Sequence, residues 1–131
     1  MEWNLIFRDD EILEMITVGK FSKDDLIKMT LQFLTNQKWK AGTNIIADFR
    51  DVDLRHLKIN DVFDIKKLHI RLDSMIGDGK VAAIIDSNLS YGFSRAYESI
   101  STSYVRSRIM SFRNYDTGIK WIKGNLETGF I

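Results

Sequence analysis

Between Gly77-Asp78-Gly79 and Ser87 the chain runs Lys80-Val81-Ala82-Ala83-Ile84-Ile85-Asp86, an apolar core bounded by turn-forming residues. It is too short for a buried helix and has no polar face, so it reads as the clearest strand in the molecule. Asn44-Ile45-Ile46-Ala47-Asp48-Phe49 is a second such run. It is apolar without clean alternation, as expected of an interior strand covered by helices on both sides.

The segments around these two runs follow the same logic. Trp3 to Arg8 and Ile12 to Val18 read as short strands joined by the polar turn Asp9-Asp10-Glu11. Ser22 is a good N-cap, with Asp25 three residues on and Phe21 placed to staple against Leu26. The helix it opens runs to about Asn36, with Leu26, Ile27, Thr30, Phe33 and Leu34 on one face. A second helical period spans about Asp61 to Met75 with Val62, Ile65, Leu68, Leu72 and Met75 inward, stopped by Gly77. Ser87 or Asn88 caps a third helix with Phe93, Ala96, Tyr97 and Ile100 on one face. Val105 to Phe112 reads as a more exposed strand, and Asn114 to Lys123 as a closing helix with Tyr115, Ile119 and Ile122 inward.

The order ββαβαβαβα predicts a single α/β domain over residues 1–124, with a loose tail over 125–131. Its sheet is mixed and five-stranded. The opening hairpin is antiparallel, the strands separated by helices are parallel, and helices pack on the sheet. At 131 residues such a chain buries roughly two-thirds of its unfolded surface, enough for one core.

Composition removes several functional classes. Nineteen Lys and Arg against eighteen Asp and Glu leave a formal net charge of +1, so no global field recommends a nucleic-acid partner. The absence of Cys removes disulfides and thiolate chemistry and fits a reducing compartment. No apolar run approaches the ~20 residues needed to cross a bilayer, and the N-terminus does not read as a signal segment, so the expectation is a cytoplasmic protein without stable membrane insertion.

Gly79-Lys80-Val81-Ala82 leading into a strand, Tyr91-Gly92-Phe93-Ser94-Arg95-Ala96 in the following helix, and Phe112-Arg113 before a helix containing Trp121-Ile122, taken with the order of elements, resemble the SpoIIAA-like branch of the STAS superfamily over nearly the whole chain. The resemblance implies the α/β architecture and a small non-enzymatic regulatory or binding module acting through a protein partner. By analogy it also offers an alternative, binding of a small apolar or lipid ligand between helices and sheet, for which Met75 and Phe93 would give adaptable lining. In the anti-sigma-factor antagonists of that superfamily a phosphorylated Ser opens the helix after the third strand. The corresponding stretch, residues 51–60, contains no Ser or Thr, so that switch does not carry over.

The candidate contact surface comprises the loops after the strands ending at Phe49 and Asp86, with Asp48, Asp51, Asp53, Asp86, Asn88, Tyr91 and Arg95. Three carboxylates at Asp48, Asp51 and Asp53 could hold a hard cation, but Arg50 and Arg55 stand ready to pair with them, and ion pairing is the expectation. Asp86 would repel an anion at the following helix start, so Asp86, Ser87 and Asn88 read as capping residues. His56 and His69 lack the spacing of a metal pair or a catalytic diad and read as surface or boundary residues. The serines, including Ser99, Ser101, Ser103 and Ser107, lie in no nucleophile elbow. Neither catalytic residues, metal nor cofactor is therefore expected, and a hydrolytic enzyme stands as a distant third reading. Arg106, Arg108 and Arg113, near Tyr104 and Tyr115, could contact RNA or an acidic partner surface, but charge guarding an edge strand is the expectation. Trp39 sits in a polar stretch where it would be exposed as an interaction anchor. A homodimer through the opening strands or a helix face remains open.

Overall fold

The computed structural model describes residues 1–88, 91, 92, 95, 98 and 105–124. Five strands, β1 (Glu2–Phe7), β2 (Ile12–Lys20), β3 (Asn44–Asp53), β4 (Lys80–Ile84) and β5 (Arg108–Phe112), form one sheet in the order β1-β2-β3-β4-β5. β1 and β2 pair antiparallel, and the other neighbours pair parallel. Helix α1 (Lys23–Leu34) joins β2 to β3; α2 (Ile59–Arg71) and the single turn α3 (Asp73–Ile76) join β3 to β4; α4 (Tyr115–Ile122) follows β5. Asn88, Tyr91, Gly92, Arg95 and Glu98 are helical between β4 and β5. This is the mixed α/β architecture expected from the sequence. The inward residues expected of the third helix (Phe93, Ala96, Tyr97, Ile100), together with Ser99, Ser101, Ser103, Tyr104 and the tail 125–131, lie outside the described residues.

Because the parallel strands are laid down in sequential order, right-handed crossovers place their connecting helices on one face of the sheet. The core divides accordingly. Leu13, Met15, Ile45 and Ala47 pack with Met29, Phe33 and Leu34 of α1 and Ile76 of α3 on one face. Ile12, Ile46, Ala82, Ile84 and Phe112 pack with Trp121 and Ile122 of α4 on the other. Ile45, Ile46, Ala47 and Asp48 are all buried, so β3 is the interior strand its unbroken apolar run implies.

Local signals account for most boundaries. The Ser22 hydroxyl accepts the Asp25 amide at 3.2 Å, and the Asn114 side chain accepts that of Thr117 at 3.2 Å, capping α1 and α4. Glu11 turns the β1–β2 hairpin at φ 63°.

Four expectations need correction. β3 continues to Asp53, because pairing with Val18, Gly19 and Lys20 beyond a β2 irregularity outweighs the polarity of Arg50, Asp51 and Asp53. The second helix breaks at Leu72, whose amide reaches both Leu68 and Ile70 carbonyls in a tightened turn. The break rotates the chain so that Ile76 is buried and Met75, expected inward, is 45% exposed. In α1, Met29 is fully buried, while Ile27, expected on the inner stripe, is half-buried. Trp39 is no exposed anchor: its ring packs on Phe33 with centroids 4.8 Å apart, and its indole N–H donates to the Met75 carbonyl at 2.9 Å.

Candidate functional site

The register of the parallel strands sets side chains in rows across the sheet. On the face carrying α1 and α2 one row runs Leu13, Ile45, Val81, Ile109, and the next runs Met15, Ala47, Ala83, Ser111. Two adjacent interior strands thus present alanine at the same level, and a trough opens where larger neighbours would meet the helices. Phe21, Leu26, Thr30 and Phe33 wall it from the α1 side; Leu54, Leu57, Val62, Ile65, Leu68, His69, Leu72 and Ile76 wall it from the α2 and α3 side. With the floor of Met15, Ile45, Ala47, Phe49, Val81, Ala83, Ile85 and Ile109, these residues line a partly open cavity of about 210 Å³. A single water needs only ~10–15 Å³ on the same measure. Native interiors leave few voids larger than a water molecule, so an apolar space of this size stands out from ordinary core packing.

Thr30 and His69 are the polar side chains among its described lining. The Thr30 hydroxyl is turned back onto the Leu26 carbonyl at 2.8 Å. His69 Nε2 lies 2.9 Å from the hydroxyl of Ser107, which is buried just before β5. His69 is half-buried, the boundary position expected of it, and there it lines the cavity beside a serine 38 residues away, a juxtaposition no sequence spacing announces. A His–Ser pair is half of a nucleophilic device. Asp73, close enough to act on the imidazole, accepts the Arg106 amide at 2.8 Å and Nε at 2.9 Å on its two oxygens.

Burial pushes the His69 imidazole below its ordinary 6.5, against a weaker upward pull from Asp73. A base with a depressed folded-state pKa stays neutral in the fold while the unfolded chain takes up the proton. Its contribution is thus complete above pH 6.5 and is lost as pH falls through the lower folded-state value. His69→Gln is expected to flatten the decline of stability over that window, read from urea midpoints at a series of mildly acidic pH values. An unchanged slope would place the pH dependence elsewhere.

The residues proposed from sequence as a contact surface divide between two faces and the rim. Asp48 is buried on the α4 face, where Arg50 reaches back to it at 2.8 and 2.9 Å, and that guanidinium holds its carboxyl below the usual range against opposing burial. Asp53 is held low in the same way by Arg55, 2.9 Å away. The expected ion pairs are therefore present, and among the described residues no group of three His, Cys, Asp or Glu gathers as a metal site. Asp51 and Asp86 are exposed at the carboxyl ends of β3 and β4. Asn88 accepts Arg113 Nη1 at 2.7 Å, and the same guanidinium stacks 4.4 Å above the Tyr91 ring. Arg95 pairs with Glu98 at 3.5 Å.

A second polar concentration, not singled out by sequence, ties α4 to the hairpin. The Tyr115 hydroxyl donates to Glu14 and accepts Arg8 Nη1 at 2.9 Å, while the Arg50 guanidinium lies 5.6 Å above the Tyr115 ring. Burial and Glu14 push the phenol up to about 12, so it stays protonated and serves as a clamp. At the far edge of the sheet, Arg108 is exposed on β5 and Arg106 is bound to Asp73, in keeping with a guarded edge strand.

Four parallel strands in sequential order, an antiparallel first strand and an apolar cavity under two helices define an α/β domain. Among solved structures, the chain resembles the crystal structure of an uncharacterized protein of the DUF3478 family with a SpoIIAA-like fold from Shewanella loihica PV-4. The match has a TM-score of 0.59 and 15% identity, and covers 92% of this chain and 92% of that one. The fold is thus SpoIIAA-like, as the sequence resemblance implied, and likeness at that identity concerns fold alone. No protein-family model and no curated protein matches the chain. No helix among the described residues is long and apolar enough to cross a membrane.

Proposed function

We propose that this chain is a non-enzymatic, STAS-like binding module that holds a small, elongated apolar ligand, of the kind an acyl chain represents, between α1, α2 and the sheet. The observation that carries this reading is the cavity: its floor is kept low by Ala47 and Ala83, and its described walls are aliphatic and aromatic apart from Thr30 and His69. Such a space gains from any apolar occupant that fits it and displaces water from its walls. His69 with Ser107 gives the wall one polar spot, enough to orient a ligand with a single hydroxyl or carboxyl at its end. The cavity lies under the first and second helices; Met75, expected to contribute lining, is outside it.

Native mass spectrometry of protein purified gently from its own cells tests this directly. A lipid-sized mass that co-purifies and leaves on organic extraction is the expected result. A stoichiometric protein partner with no small molecule would overturn it in favour of the second reading, a regulatory module that docks a protein through the exposed carboxylates Asp51 and Asp86 and the neighbouring Asn88, Tyr91 and Arg95. That reading draws on the exposure of those two carboxylates, both close enough to act on Arg50.

A further inference from the structure

Helix α4 covers only part of its face of the sheet. It packs on β3, β4 and β5 and on Ile12 at the start of β2. Beyond Ile12 the hairpin strands present Glu2, Asn4, Ile6, Glu14, Ile16 and Val18 on that face, with Ile6 opposite Glu14, Asn4 opposite Ile16 and Glu2 opposite Val18. Among the described residues, α4 reaches this strip through Tyr115 at Glu14. Ile6 and Val18 are each 38% exposed, and Ile16 lies half-buried between them, a diagonal neighbour of Ile6. An antiparallel pair can leave one face to water, but such a face is then polar, and three adjacent branched aliphatics are not.

The chain itself supplies a cover. Lys123 Nζ lies 3.3 Å from Asp10, which sets the end of α4 beside the hairpin turn, and Gly124 at φ 74° turns the chain off the helix. Residues 125–131 follow, with Leu126, Phe130 and Ile131 among them and Glu127 as their one charged side chain. Extended, they span about 23 Å at ~3.3 Å per residue, and Ile6 and Ile16 lie about 13 and 20 Å along the strands from Asp10 on the same rise. A second copy of the chain fits the strip less well. Three side chains are a small fraction of the roughly 800 Å² that each partner buries in a standard interface. A tethered segment needs far less area, because its effective concentration is already high.

We propose that residues 125–131 run back along the α4-side face of the β1–β2 hairpin, with Phe130 seated against Ile6 and Ile16. The contact extends the cover of α4 over the remaining two strands and ties the end of that helix to the hairpin. It lies across the sheet from the cavity, so it stands or falls independently of the apolar-ligand reading.

The chain contains no Cys, so pairs of introduced cysteines report the contact in the whole chain. On mild oxidation, Ile6→Cys with Ile131→Cys should close an intramolecular disulfide at least about tenfold faster than Leu31→Cys with Ile131→Cys. Leu31 is the control because it is exposed on α1, on the opposite side of the sheet. Adding Phe130→Ser to the first pair should slow its closure at least about fivefold through the lost apolar contact. Ile6 and Val18 are equally exposed, so Val18→Cys provides a second strand position should Ile6→Cys fail to fold. Equal closure rates for the test and control pairs would overturn the proposal, as would a first pair that Phe130→Ser leaves unslowed. A disulfide formed between chains, with wild type sedimenting as a dimer, would also overturn it, since a second copy would then cover the strip.

Discussion

Replacing Ala83 by Leu, alone and together with Ala47→Leu, is expected to lower affinity for a fluorescent fatty acid at least about tenfold while leaving the urea midpoint level or raised. The two alanines occupy the same level of neighbouring interior strands and form the floor of the cavity. A methyl group there leaves room that an isobutyl group would take. In a well-packed core the same change would be destabilising, because extra methylenes force side chains off their rotamers at about 1–3 kcal/mol. In an open apolar space the added carbons instead meet partner atoms and leave water, gaining about 0.8 kcal/mol for each buried methylene. Loss of ligand with retained or increased stability is therefore a signature of cavity filling that neither simple misfolding nor a solid core would produce. A variant that binds the probe like wild type would empty the cavity of its proposed role. One that loses probe and stability together would show that the space is closed in solution.

Much of the architecture was legible because it follows from local chemistry. The apolar runs at Asn44–Phe49 and Lys80–Asp86, the cap at Ser22 and the turn at Gly77-Asp78-Gly79 each reflect the demands of one short segment, and the structure satisfies them. Errors fall where a distant partner overrides the segment. Arg50, Asp51 and Asp53 look like loop, yet β2 draws them into the sheet. The break at Leu72 leaves the hydrophobic period unchanged in the sequence while altering which residue it buries, so Met75 and Ile76 exchange places.

The candidate site was less legible, for a related reason. Carboxylates at strand ends are conspicuous, and Asp48 and Asp53 are occupied by the arginines two residues on, a pairing readable from the sequence. The cavity arises from something inconspicuous, two alanines brought level by strand register, and register is a property of pairs of strands. His69 and Ser107 meet only because β5 lies beside β4 and α2 crosses above them.

The largest loss of stability should come from a position far from the cavity, Gly77→Ala. Gly77 stands at φ 85° and ψ −161°, a region essentially reserved for glycine. A Cβ there would lie 2.3 Å from the Gly42 nitrogen and 2.9 Å from the Ala41 carbonyl carbon, both backbone atoms that no rotamer change can move aside. The turn after α3 and the loop before β3 are pressed together at this point, with the Gly42 amide donating to the Ile76 carbonyl at 2.9 Å. Forbidden backbone is worth about 1–3 kcal/mol, and the strained hydrogen bond about 1 kcal/mol more. A decrease of about 3 kcal/mol or more in unfolding free energy follows, a large share of the roughly 5–15 kcal/mol typical of a domain. Gly92→Ala supplies the contrast. Gly92 is helical and exposed, with nothing within 4 Å of an added Cβ, so that variant should gain about 0.5–1 kcal/mol from the reduced freedom of its unfolded chain. Urea unfolding of the two variants with unchanged slopes would measure both effects. If Gly77→Ala fell within 1 kcal/mol of wild type, the two loops could not be as closely apposed as they are here, and the anchoring of β3 against β4 at the floor of the cavity would have to be explained by strand pairing alone.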